Sequence, residues 1–501
     1  VNGKVNTSGN NLTIDSDAVF QSTSTNNIAI GLNALNSTGA DSDYNVAIGV
    51  DALTALTVGD KNIALGRRTL KVAGGGESFN IAIGNDAMSA VNEATNSRTA
   101  DRNIAIGHNA LMGGALANTK DLTDCIAIGY QALDGTTTNA QAGTIAIGTD
   151  ALTALTSGSS NTAIGYQAGT SLVEGDYNTV LGYEAFDAGQ EDSNCTAIGY
   201  RALTAADVSN TGTAVPSYNT AVGFTAGAGI TTGTNNTIFG AIAGDSFDTN
   251  SGNTFMGRSA GGGSSADANN CVGIGFLALS GDITQDGTIA IGRSALAALT
   301  SGAYNVAIGY QAGLENKLGE SNIAIGYDAF NDSYTNDTTD AANDDNIFIG
   351  VNTGGGTWTA ASSSTVYSCS KNVGIGSNAM AAAMSGALYN TALGYNTHNG
   401  LTTGDYNTVL GSTAGYVLSS GTKNTVCGSY ALSTSTDVDN AVAIGYNAMQ
   451  AGDVTDAADG TVAIGYEALK ALTSGIGNLA IGYQAMDGNQ TSDYNIAIGY
   501  D

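Results

Sequence analysis

Proline is almost absent from this chain of 501 residues: there is one, Pro216. That shortage excludes a collagen-like triple helix, which needs abundant proline and glycine at every third position, although glycine itself numbers 70. Basic residues are also scarce, 15 Lys and Arg against 44 Asp and Glu, for a net charge of −29. So acidic a chain lacks the basic face needed to bind nucleic-acid phosphates or an anionic membrane, and neither is expected as a partner. It suits a solvated surface, as in salty water where like charges are screened. No apolar run approaches the roughly 18 residues of a membrane span, so membrane insertion is not expected. His108 and His398 are the only histidines, in unlike contexts, which leaves almost no material for a Ser-His-Asp triad or a His-rich metal site. Cysteines number five, an odd count. Cys125, Cys195 and Cys271 lie far apart and share one repeat position, so they read as small buried residues rather than as a disulfide framework.

What the chain has instead is one pattern repeated throughout. NTAIGYQAG at 161–169 returns as NVAIGYQAG at 305–313, NIAIGYDAF at 322–330 and NLAIGYQAM at 478–486. Aligned on the Gly that ends AIG, the sequence holds 26 copies, most often 17 residues apart and never closer. A fixed minimum with occasional additions is the grammar of a solenoid whose structural unit tolerates loop insertions. Asn stands four residues before the Gly in 19 copies and Ala two before it in 18. Ile, Val or Leu usually precedes the Gly, and Ala follows three residues later. Asn161, Ala163, Ile164 and Gly165 represent the motif, as do Asn305, Ala307, Ile308 and Gly309, and Asn322 with Gly326. The segment is too short for a helix, and its β-branched content fits a strand bounded by turns such as TSG, TTG, GDYN and SDYN. The expected fold is therefore all-β: a parallel β-solenoid of about 26 coils over residues 27–500. Stacked about 4.8 Å apart, the coils would form a rod of about 120 Å. The Asn column should stack as a ladder of side-chain amides, and the Ala columns imply a narrow interior. Residues 1–25 read as a β-rich lead-in or cap, and 26–501 as one repeat domain. Insertions near 91–101, 207–217 and 351–371 should bulge outward without disturbing register, with Pro216 placed where no ladder N–H is lost.

The strand is largely apolar or small on both faces, with Ile, Val, Leu or Thr three residues before the Gly. Residues three and one before the Gly point one way, for example Ile63 and Leu65, Ile145 and Ile147, or Ile323 and Ile325, while those four and two before it point the other. One face fills the coil. The other needs a cover, and the sequence offers no helix to supply one. Another copy of the chain is the natural cover, around a shared axis of closed symmetry. The Ile/Val/Leu face is expected at that axis with Ala inside the coil; the Ala face at the axis is the alternative.

The NNIAIG, YNVAIG and SNIAIG segments resemble the head repeats of trimeric autotransporter (YadA-like) adhesins, over residues 26–500. The resemblance implies a left-handed parallel β-roll in an intertwined or side-by-side homotrimer. The repeats here are longer than that family's, and Ala replaces its later Ser. The YQAL and YQAG continuations are similar to repeats in tail fibres of marine phages, which often precede a self-cleaving chaperone. The opening VNGKVNTSGNNLTIDSDAVF is similar to the lead-in of such fibres. A chain stopping in mid-repeat, at NIAIGYD, is expected to belong to a larger fibre or to have lost a chaperone.

Catalytic chemistry finds little support. No Asp/Glu column recurs beside an aromatic groove, as a glycan-cleaving acid pair would need. The glycine runs at 74–76, 261–263 and 354–356 lack the form of a phosphate loop. The acidic insertion 331–346 has oxygen donors for Ca²⁺ but not the spacing of a Ca²⁺ loop, and reads as solvated. No cofactor or metal is expected. Trp358, Tyr367 and Tyr334 lie in insertions and are the candidate recognition residues, since exposed aromatics stack on sugars and anchor protein partners. The leading expectation is a non-enzymatic homotrimeric fibre, a phage tail fibre shaft or receptor-binding region that meets a host glycan or protein receptor at the virion surface. A bacterial surface adhesin or extracellular filament of the same fold is the second reading, and a glycan-cleaving spike the third.

Overall fold

Each motif copy folds as a three-residue strand, such as Thr162–Ile164 or Val306–Ile308, closed by the motif Gly. The computed structural model describes residues 26–37, 42–91, 99–113, 121–135, 141–206, 215–263, 268–331, 343–356, 369–450, 458–488 and 491–501. The chain divides into two compact units, Val1–Asn236 and Thr237–Asp501. Eleven motif strands build the first, from Ile28–Ile30 to Thr220–Val222; fifteen build the second, from Thr237–Phe239 to Ile496–Ile498. Within each unit successive strands pair in parallel and in register, as in Ala146↔Ala163↔Val180 and Ala307↔Ala324↔Phe348. Each unit is thus a parallel β-solenoid, and fifteen coils make the second about 65–70 Å long.

Insertions leave the ladder intact. Across the additions near 91–101, 207–217 and 351–371 the pairs Ala82↔Ala105, Ala197↔Ala221 and Phe348↔Gly374 keep the common register. Pro216 belongs to a small satellite pairing rather than to an open loop. The two-residue strand Val215–Pro216 lies parallel to Asp192–Ser193. The adjoining Ser217 N–H makes the ladder bond, to Ser193 O at 3.1 Å. Ala142 sits likewise between the donors Gln141 and Gly143 in the sister pairing Leu122–Thr123 with Gln141–Ala142. Proline at such a position forfeits no bond across the pair.

The glycine column is required by backbone contact. Gly165 has φ +141°, a region open to glycine, and a Cβ there would lie 2.2 Å from the Gly182 carbonyl oxygen of the next coil. Gly309 would meet Gly326 in the same way. Beyond the Gly the chain turns with left-handed residues at two alternate positions, for example Asp150 (φ 57°) and Leu152 (φ 50°). A non-glycine residue there costs about 1–2 kcal/mol. The turn offsets this by hydrogen bonding coil to coil, Asp150 N–H to Tyr130 O at 2.9 Å and Leu152 N–H to Ala168 O at 3.0 Å.

Inside the coil, both Ala columns and the Leu that follows are buried, as Ala146, Ala151 and Leu152 are. Volume is traded within two of the coils. Where Phe255 and Phe348 replace the strand Ala, Gly261 and Gly354 replace the turn Leu, and a Cβ on either glycine would fall within 2.8 Å of its phenyl ring. Overpacking is avoided by trading one large side chain for another.

The Asn column forms the expected ladder. Asn407 Nδ2 donates to Asn390 Oδ1 at 3.0 Å and to Gly421 O at 2.7 Å. Its Oδ1 accepts the backbone N–H of Asn424 at 3.0 Å and Asn424 Nδ2 at 2.9 Å. All four amide bonding positions are used in a site that water does not reach. Asn407→Ala should lower stability by about 1–3 kcal/mol, because partners stay buried and unpaired. Asn407→Asp should cost more, since its carboxylate would face Asn390 Oδ1 and Gly421 O. Thermal melts followed by circular dichroism check the order; an Asp variant as stable as the parent would contradict the ladder.

Candidate functional surface

The strand's two faces have different fates. Ala163 and Ala307 point into the coil and are buried, whereas their neighbours Ile164 and Ile308 are each 37% exposed. Before the last coil, exposure of this side reaches 54% at Phe239 and is 45% at Met256. The columns one and three residues before the Gly therefore lie on the outside of each unit, the first apolar throughout and the second Ile, Val or Leu except for Thr in nine of 26 copies, and the interior is taken mostly by Ala. The alternative with Ala facing outward does not hold: Phe255 and Phe348, which replace that Ala, are buried too.

Aromatic side chains flank the aliphatic strip. The residue after the Gly stacks on its counterpart in the next coil. Tyr166, Tyr183, Tyr200 and Phe224 form one such run with centroids 5.1–5.4 Å apart, and Tyr446, Tyr466, Tyr483 and Tyr500 another at 4.9–5.5 Å. Five residues before the Gly a second column holds left-handed residues such as Tyr389 and Tyr406, whose centroids lie 4.9 Å apart. These spacings match the coil repeat, so the rings stack because the backbone sets their distance. His108 joins the first column, exposed and stacked on Tyr130 at 5.5 Å.

Acidic residues have a structural task that their reading as solvated turns did not anticipate. Asp60, Asp101, Asp176, Asp405 and Asp439 stand six residues before the Gly, and each accepts a backbone N–H from the preceding coil at 2.6–2.7 Å. The signal was present in GDYN and SDYN, where this Asp, the outward Tyr and the ladder Asn are consecutive.

The motif residues singled out in the sequence are spread along the units. Asn161, Asn305 and Asn322 are buried and donate to the Gly175, Gly319 and Asn343 carbonyls at 2.7 Å. Gly165, Gly309 and Gly326 occupy the backbone contact column. Trp358, Tyr367 and Tyr334, with most of the acidic insertion 331–346, lie outside the described residues. Among the described residues no group of three or more His, Cys, Asp or Glu side chains is arranged to hold a metal ion. No described helix is long and apolar enough to cross a membrane.

The cysteines are free thiols. Cys125, Cys195 and Cys369 are buried, and desolvation pushes each thiol up to about 11, well away from thiolate reactivity. Cys125 and Cys195 replace the ladder Asn; their N–H groups still donate to Asn103 and Asn178 Oδ1, at 3.0 and 2.9 Å. Cys427 differs, standing exposed in the outward column just before the Gly.

A scan against protein-family models finds no match for this chain, and no curated protein matches it.

His398 occupies the inner turn position usually held by Leu. It is fully buried, neither ring nitrogen makes a hydrogen bond of good geometry, and desolvation, offset only in part by the Leu418 backbone, pushes its pKa down to about 3. The unfolded chain binds a proton near the ordinary histidine value of about 6.5, so stability should fall as pH drops from there toward 3. His398→Leu should raise the melting temperature at neutral pH and raise it further at pH 4. Melting curves at both values check this; a histidine parent that is no less stable than the Leu variant on acidification would contradict it.

Proposed function

We propose that the chain is a non-enzymatic structural segment of an extracellular fibre that assembles as a homotrimer through its outward aliphatic columns. Resemblance to the tail fibres of marine phages points to a fibre shaft or receptor-binding region at a virion surface, meeting a host glycan or protein receptor. The observation that carries the reading is the aliphatic strip. In the second unit it runs about 65–70 Å and is one three-residue strand wide, at most on the order of 700 Å², with Thr in one of its two columns at five of the fifteen coils. Soluble monomers rarely expose an apolar patch beyond a few hundred Å². The strip is close to the ~800 Å² per partner of a standard interface. A second copy is the occupant that fits, because a partner with the same coil spacing meets the strip in register along its length.

Charge opposes the assembly only weakly. The acids stand in the column that caps backbone amides and in turns, not in the aliphatic columns, where they would be buried unpaired. Substituting Asp at Ile147 and Ile325 together should dissociate or misfold the trimer. Light scattering on the parent at micromolar concentration should give three times the chain mass of 49.9 kDa. A monomeric parent, or a double variant that remains an intact trimer, would overturn the proposal.

A further inference from the structure

Along four successive coils the column after the Gly departs from its Tyr pattern and reads Arg258, Phe276, Arg293, Tyr310. The guanidinium carbon of Arg258 lies 5.7 Å from the Phe276 ring centroid, and that of Arg293 lies 5.6 Å from the same ring and 5.7 Å from Tyr310. Phe276 is thus held between two cations. Both arginines are exposed, and neither takes part in an ion pair among the described residues. They share the lack of an ion pair with Arg67 and most of the described lysines; the two arginines differ in standing two coils apart on either side of one ring. Arg68, Arg102 and Arg201 each have a carboxylate partner.

The adjoining column, which is acidic at Asp51, Asp86, Asp150, Glu184 and Glu467 but not in most coils, holds Ser259, Leu277, Ser294 and Gln311 beside the stripe. On the other side stand Met256, Ile274, Ile291 and Ile308. Asp328 marks the end of the stretch one coil further on, and Asp286 is engaged by the Asn269 N–H at 2.7 Å on the far side of the strand. The backbone beneath the stripe is tied coil to coil by Leu277 N–H to Arg258 O, Ser294 N–H to Phe276 O and Gln311 N–H to Arg293 O, at 2.9–3.1 Å.

We infer that this stripe is a binding site for an acidic polysaccharide with one carboxylate per disaccharide. Two coil steps separate the arginines, about 10 Å. That is the length of an extended β-linked disaccharide, so successive carboxylates of one strand meet successive guanidinium groups. A guanidinium held against a ring keeps its N–H edge free for bidentate contact with a carboxylate. Phe276 lies between these contacts and Tyr310 one coil past the second, and no carboxylate in the adjoining column of these four coils opposes an anionic ligand. The column stands where the Gly turns the chain, beside the aliphatic strip rather than within it, so the inference does not depend on self-association.

The test is titration of the full chain with a hyaluronate decasaccharide, with neutral cellohexaose as the comparison. Saturable binding of hyaluronate, weakened by added salt and not matched by cellohexaose, is the expected result. Arg258→Gln with Arg293→Gln should weaken it about tenfold or more. Phe276→Ala should weaken it as well, whereas Lys470→Gln, which removes a cation already paired with Glu467, should leave it unchanged. Absence of hyaluronate binding, equal affinity for cellohexaose, or a double arginine variant that binds as the parent does would each overturn the site. Sedimentation of the same variants separates this from assembly: a double arginine variant that sediments as a smaller species would assign the arginines to contacts between copies and overturn the glycan site.

Discussion

The close approach of one coil's backbone to the next, at a residue with no side chain, is the constraint on which the rest depends. Gly165 lies so near the Gly182 carbonyl that even a methyl group has no place. Once that contact sets the spacing, every other column inherits it. Asn side chains one coil apart reach each other at 2.9–3.2 Å, Asp carboxylates reach the preceding coil's amides, and aromatic rings stack at about the strand spacing. The ladder is therefore cooperative in a specific sense. Each side chain bonds upward and downward, and its geometry is right only if both neighbouring coils are in register.

Packing follows from the same spacing. The interior is narrow, and in two coils a Phe on the strand wall is matched by Gly at the turn. Phe348 with Gly354 and Ala146 with Leu152 are two solutions to one volume. His398 is the exception that fits by shape and not by chemistry: an imidazole fills the Leu position, and its nitrogens lose their hydration with no hydrogen bond of good geometry in its place.

Much of this was legible in the residues. The 17-residue minimum, the Asn and Ala columns and the doubly apolar strand led to a parallel solenoid with a stacked Asn ladder, and the structure has both. Two features were harder to read. The Asp of GDYN looks like any turn acid, because nothing local shows that its acceptor role is toward the preceding coil, 17 or more residues away in sequence. Tyr after the Gly was visible as a recurrence, but a recurrence does not reveal stacking until the coil spacing is known. The candidate surface was legible in part: the aliphatic columns follow from strand alternation, whereas the Arg258, Phe276, Arg293 stripe emerges only when residues 35 positions apart are seen two coils apart.

The central functional claim is that the outward aliphatic columns are covered by another copy of the chain. Cys427 reports on this directly, because it is the one exposed thiol and stands in the column beside the proposed axis. Reaction of the native protein with Ellman's reagent, at a concentration where it is assembled, is the measurement. The account predicts that Cys427 is protected in the assembled protein and becomes reactive when the Asp substitutions at Ile147 and Ile325 separate the copies. Rapid reaction of one thiol per chain in the native protein would contradict it.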